Sequence, residues 1–258
     1  MNRGFSLVEL SIVLVILGLL TGGILAGQSL IRASEMRSIV ADYQRYSQGV
    51  NSFRDKYMAI PGDMSNAQSF WGVAHATPAT CITTASTTSA TCNGDGDGTL
   101  EVASAGSNEY FRFWQHLANA GLIEGNYSGV AGSASQYDTV AANSPASKVQ
   151  ASFWSVANFG TIASGDTVYY EGTYGNSFQL GADNGGPSGN ADAALIKAEE
   201  MWGIDMKLDD GKPAYGRLVT RFYSSCTSGA VSETSYSAAV YNVSSSSVVC
   251  ALYFVKIW

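Results

Sequence analysis

Histidine is nearly absent from this 258-residue chain, with His75 and His116 the only two. A Ser/His/Asp relay therefore has little material, and no glycine-rich phosphate-cradling loop of the Walker or dinucleotide type occurs. Charge is scarce as well: Asp, Glu, Lys and Arg make up 14% of the residues, against about 25% in an average globular protein. With 46% hydrophobic residues and a net charge of −7, the chain suits neither disorder nor a basic nucleic-acid binder. Five prolines against 28 glycines count against a collagen-like chain. The length allows one sizeable domain plus an appended element.

No second apolar run long enough to cross a membrane follows residue 31, so one local stretch raises the mean hydropathy to +0.04. That stretch is Phe5 to Ile31, whose single charge is Glu9. As a helix it reaches about 40 Å, against a hydrocarbon core of about 30 Å. A cleaved secretory signal has an apolar core of only about 7 to 15 residues, so this run is too long for one. Arg3 ahead of it and Arg32 and Arg37 behind it leave the positive-inside rule ambiguous, and the short N-terminal flank favours an N-in, C-out anchor. Glu9 is the anomaly, because an acidic side chain near the bilayer centre costs about 2.5 to 3.5 kcal/mol. Either it snorkels to the headgroups, or it is a charge awaiting a partner.

Gly4-Phe5-Ser6-Leu7-Val8-Glu9, behind a short Arg-containing leader and ahead of the apolar run, resembles the type III signal of type IV pilins and type II secretion pseudopilins. The resemblance implies cleavage after Gly4 by a prepilin peptidase and methylation of the new amino terminus, Phe5. It gives Glu9 the role of pairing with the terminal amine of a neighbouring subunit during filament assembly. An ion pair formed in low dielectric is far stronger than one in water. Gly18 fits the pattern, whereas Ala26 stands where many family members carry a proline. Gly22, Gly23 and Gly27 either loosen the helix, at about 1 kcal/mol each relative to alanine, or permit close helix packing in a membrane.

The helical signal continues past the membrane. Met36, Val40, Tyr43, Tyr46, Val50, Phe53 and Tyr57 recur at steps of three and four and define one amphipathic face. Ile60-Pro61-Gly62 ends the helix, giving a rod of about 80 Å, and Pro61-Gly62-Asp63 resembles a fixed connection after the long helix in pilin-like proteins. Beyond it the spacing predicts helices over Tyr110–Leu122 and Ala193–Met201. Strands are expected over Thr167–Glu171, Ser177–Leu180, Arg217–Tyr223, Ala238–Val243 and Val248–Ile257. Helix first and antiparallel strands last is an α+β layout, in agreement with the family's long helix on a small antiparallel sheet. The expected organisation is a leader over residues 1–4, a transmembrane or filament-core segment over 5–31, an amphipathic continuation over 32–60 and a globular head over 61–258.

Cys81, Cys92, Cys226 and Cys250 all fall in the part placed outside the cytoplasm, and four cysteines allow three connectivities. Sequence neighbours are the natural pairs, and the family often has a disulfide-bounded region near its C-terminus. No C-x-x-C pair supports zinc. In Asn93-Gly94-Asp95-Gly96-Asp97-Gly98-Thr99-Leu100-Glu101, oxygen side chains alternate as in the first half of a calcium loop. Asn93, Asp95, Asp97 and Glu101 are the candidate calcium ligands. Ser104 replaces the bidentate glutamate of an EF-hand, and Gly-Asp repeats also make ordinary turns. Asp205-Met206-Lys207-Leu208-Asp209-Asp210-Gly211 reads as a turn with local hydrogen bonds rather than a catalytic carboxylate pair, and it resembles a structural segment of pilin-like proteins.

The resemblance implies a non-enzymatic structural subunit of a type IV pilus or type II secretion filament. Its partners would be other pilin or pseudopilin subunits, the prepilin peptidase, an inner-membrane assembly platform and, before assembly, membrane lipid. Its place would be a single-pass inner-membrane form with a periplasmic head, and then a pilus or pseudopilus. The alternative is a membrane-anchored tip adhesin or binding module working through calcium-ordered loops. Loss of Met1 to Gly4 removes Arg3 and takes the net charge from −7 to −8, which disfavours long-range attraction to nucleic acid.

Overall fold

A computed structural model describes residues 6–101, 109–132, 138, 140–166, 168–184, 191–221, 225–228 and 236–258. The apolar run and the amphipathic stripe fuse into one helix, α1 (Leu7–Tyr57), of 51 residues. It ends at Met58, whose left-handed backbone (φ 52°) returns its N–H to the Arg54 carbonyl. Burial divides this helix sharply: apart from a half-buried Gly27, residues 6–31 are exposed, whereas Ser38, Ile39, Asp42, Tyr46, Gly49, Val50 and Phe53 are buried.

Three further helices follow, α2 (Gln68–Trp71), α3 (Pro78–Cys81) and α4 (Glu109–Asn119), then strands β1 (Ser152–Asn158), β2 (Thr161–Ile162), β3 (Gly172–Thr173), β4 (Asn176–Ala182) and β5 (Ile196–Lys197). Helix α5 (Ala198–Leu208) precedes β6 (Leu218–Val219), β7 (Thr227–Ser228), β8 (Val240–Tyr241), β9 (Val248–Cys250) and β10 (Leu252–Phe254). The main sheet has the order β1-β4-β10-β6 and every pairing is antiparallel. One of its faces puts Trp154, Val156, Phe178, Leu180, Leu252 and Phe254 into the same core as Tyr46, Val50 and Phe53 of α1 and Phe113, Trp114 and Leu117 of α4. The other face buries Val219, Ala251, Tyr253 and Val255 beneath Phe159, Ile162, Tyr169 and Tyr174.

Several elements differ from the sequence expectation. Strand β1 was not expected at all. It is buried on both faces, so its residues show no polar/apolar alternation. Its polar Ser155 sits inside the protein, donating to the Gln179 Oε1 at 2.8 Å. The helix expected at Ala193–Met201 starts at Ala198 and runs to Leu208. Leu195 and Ile196 are taken by pairing with Cys250, and the Glu200 carboxylate accepts the Lys197 N–H at 2.9 Å, which sets the helix start. No strand occupies the described part of Thr167–Glu171, because Asp166 Oδ1 accepts the N–H groups of Val168 and Tyr169 and folds them into a turn. Thr167 itself lies outside the described residues, as do residues 222–224 of the strand expected over Arg217–Tyr223.

Candidate functional site: the N-terminal helix and the acidic loop

Gly4 and Phe5 lie outside the described residues. Glu9 stands in the first turn of α1, fully on the exposed part of the helix. Its Oε2 accepts the Ser6 N–H at 2.9 Å, while the Ser6 Oγ accepts the Val8 N–H at 3.3 Å. This reciprocal cap satisfies two of the backbone donors that a helix start leaves open. The capped apolar stretch is long enough to cross a membrane, and none of its most apolar part is buried, which separates it from a core helix of a soluble domain. Where the helix leaves that stretch, Arg32 Nε and Nη2 donate to the two Glu200 oxygens at 2.5 and 2.6 Å, and Nη1 donates to Glu35 at 2.9 Å. This two-pronged pair ties the base of α1 to the start of α5.

The segment after α1 is held by α4, whose first nine residues, Glu109 to Leu117, are all buried. Four of them are polar, and each grips the backbone of the covering loop. Glu109 accepts the N–H groups of Asp95 and Glu101 at 3.1 and 3.2 Å. Arg112 donates to the Cys81 and Thr84 carbonyls at 3.0 Å and to Gln115 Oε1 at 2.7 Å. Burial pushes its guanidinium down to about 10. The Gly62 N–H donates to His116 Nδ1 at 3.0 Å. The proton on His116 is thereby assigned to Nε2, which donates to Thr91 Oγ1 at 3.0 Å, and the Thr91 hydroxyl donates to Gln115 Oε1 at 2.7 Å. Disulfides Cys81–Cys92 and Cys226–Cys250 close the loop and the C-terminal strands.

Burial, with a lesser push from Arg112, takes the His116 imidazole down to about 3. The unfolded chain binds a proton near pH 6.5 and the folded chain does not, so this residue makes stability fall as the pH drops from about 6.5 towards 3. Above pH 6.5 both forms are neutral and the contribution is constant. We expect the stability advantage of the native protein over His116→Gln, measured by denaturant unfolding, to shrink by about 2–3 kcal/mol between pH 7 and pH 4.5. An advantage that stays constant would show that the imidazole is not held neutral.

Within the acidic loop, Asp63 accepts the N–H groups of Gly96 and Gly98 at 2.6 and 2.9 Å. Asp95 and Asp97 accept the N–H groups two residues ahead, at 3.0 and 2.7 Å. A side chain at Gly94 would lie 2.5 Å from the Asp63 backbone, so only glycine lets the two strands of the loop pass. Asp63, Asp95 and Asp97 bring carboxylate oxygens within 4.8 Å of one another. Two of the four expected ligands, Asp95 and Asp97, are thus together. Asn93 instead turns its Oδ1 to the Gln68 N–H at 2.9 Å, and Glu101 is not in the group. Asp63, 32 residues before Asp95, was visible in the sequence only as part of a connection. Burial raises the Asp63 carboxyl to about 6 and the Glu109 carboxyl to about 7, against the backbone N–H groups that lower both. Hard oxygen donors of this kind could hold calcium.

Comparison with known proteins adds one finding. Residues 1–25 match the family described as the prokaryotic N-terminal methylation motif. No curated protein and no solved structure matches the chain. The motif implies processing by prepilin peptidase and assembly with other pilin subunits, and it points to a structural protein rather than an enzyme. Together with the exposed helix it fits membrane anchoring. Residues 1–25 therefore carry the prepilin-type signal for N-terminal cleavage and methylation at the head of a long apolar helix.

Proposed function

We propose that the chain is a structural subunit, major or minor, of a type IV pilus or type II secretion filament. Prepilin peptidase cuts between Gly4 and Phe5, Phe5 is methylated, and the subunit waits as a single-pass inner-membrane protein with a periplasmic head. An assembly platform then transfers it to a filament built on its N-terminal helix. The observation that carries this reading is the division of α1. Its methylation-motif half presents an unburied apolar surface, whereas its second half is the core of the head. Such an apolar surface needs lipid first and the helices of other subunits afterwards.

The test is the intact mass of the protein in two fractions of its own cells, sheared surface filaments and membranes. Loss of Met1 to Gly4 plus one methyl group in the sheared fraction is the expected result for a pilus subunit. The same mass confined to membranes would favour a pseudopilin. An uncleaved mass in both fractions would overturn the filament reading.

A further inference from the structure

Helix α5 ends in three acids. Asp205, Asp209 and Asp210 bring carboxylate oxygens within 4.8 Å of one another, at the end of a helix where the backbone dipole favours cations over anions. Among the described residues none of the three makes an ion pair. One oxygen of each is already fixed by a donor. Asp205 Oδ2 accepts the Tyr241 hydroxyl at 2.8 Å. Asp209 Oδ2 accepts the N–H groups of Arg217 and Leu218. Asp210 Oδ1 accepts the Lys212 N–H at 2.9 Å.

The decisive atom is Asp205 Oδ1. Asp205 is 0% exposed, and this oxygen meets neither solvent nor any hydrogen-bond donor. The Gly211 N–H lies near the carboxyl without reaching hydrogen-bond geometry at Oδ1. A buried carboxylate oxygen left without a partner is costly, and two further carboxylates beside it deepen the cost. Gly216 makes this crowding sterically feasible, since a side chain there would run into the Asp209 carboxylate.

We propose that Asp205, Asp209 and Asp210 form a divalent-cation site that takes calcium. Three hard, anionic carboxylates, each with one oxygen held by a donor, match the ligand chemistry of calcium and magnesium rather than of softer metals. Calcium is favoured of the two because it accepts irregular geometry and extra carbonyl or water oxygens, while magnesium demands a near-ideal octahedron. With one edge open through the exposed Asp210, the affinity belongs with that of extracellular calcium modules, a Kd of about 10⁻⁴ to 10⁻³ M. The bound ion joins the end of α5 to β6 through Asp209 and to β8 through the Tyr241 contact. The site is independent of the filament reading and separate from the Asp63–Asp95–Asp97 loop.

The test uses the full-length protein in detergent, stripped with a chelator and titrated with calcium chloride or magnesium chloride, with binding read by calorimetry and Tm by thermal unfolding. Calcium at about ten times Kd should raise Tm by about 3–6 °C. Asp210→Asn, at an exposed position, should fold normally and weaken calcium binding at this site at least tenfold. Asp97→Asn, in the other acidic loop, should leave that event intact. Asp205→Asn should abolish binding at this site and, by removing the buried charge, remove the part of the Tm shift that this site contributes. Absence of any calcium-dependent shift overturns the proposal, and so does a shift that survives Asp210→Asn unchanged, whatever Asp97→Asn does.

Discussion

Replacing Phe178 with alanine should cost about 3–5 kcal/mol of stability, the range for emptying a large aromatic site in a packed core. The side chain is 0% exposed in the middle of β4, where three structural layers meet. Trp114 of α4 stacks on it with ring centroids 5.8 Å apart, and Phe113 meets it edge-on at 5.8 Å. Tyr46 of α1 lies at 6.2 Å, Trp154 of β1 at 6.3 Å and Trp258 at 6.3 Å. These neighbours come from elements braced against one another, so they have little room to close over the gap. Natural domains are stable by only about 5–15 kcal/mol, which makes this loss a large share of the whole. Phe178→Leu keeps most of the volume and should cost under about 1.5 kcal/mol. Denaturant unfolding of the two variants decides the matter: a loss below about 1 kcal/mol for the alanine would mean that the core can collapse.

Glu9→Ala should leave membrane insertion and the fold of the head intact while reducing filament yield at least tenfold. Among the described residues Glu9 accepts only the Ser6 N–H, and losing such a cap costs about 1 kcal/mol on a 51-residue helix. A loss of assembly much larger than that has to come from a charge offered to another chain in low dielectric, where removing one partner strands the other. Glu9→Gln separates the two roles, because the amide oxygen can still accept the Ser6 N–H but carries no charge. Both variants should fail to assemble. Filaments of Glu9→Gln at native yield would remove the proposed role of the charge.

Helix α1 could be read from the primary structure because its determinants are local and repeated. An uninterrupted apolar run and then a stripe at steps of three and four specify one helix whatever surrounds them, and Pro61-Gly62 marks where it must stop. Strand β1 was hidden for the opposite reason, since Phe153, Trp154, Ser155 and Val156 are buried on both sides and lack the alternation of a half-exposed strand. The start of α5 was misplaced because Leu195 and Ile196, apolar and adjacent to a good helix, are claimed by Cys250, more than fifty residues away in sequence.

The same division runs through the candidate sites. By itself the sequence determined the prepilin-type signal and the long apolar helix behind it, because cleavage motif, apolar length and the position of Glu9 are all counted along the chain. It also marked the acidic stretches, because aspartates next to glycines are recognisable turn chemistry. Only the tertiary structure decided which acids meet. Asp63 joins Asp95 and Asp97 because the chain doubles back past Gly94. Asp205 becomes the buried member of its cluster because Tyr241 and the C-terminal strands close over α5. Burial and desolvation depend on what lies across the fold, and no pattern within a few residues of an aspartate records it.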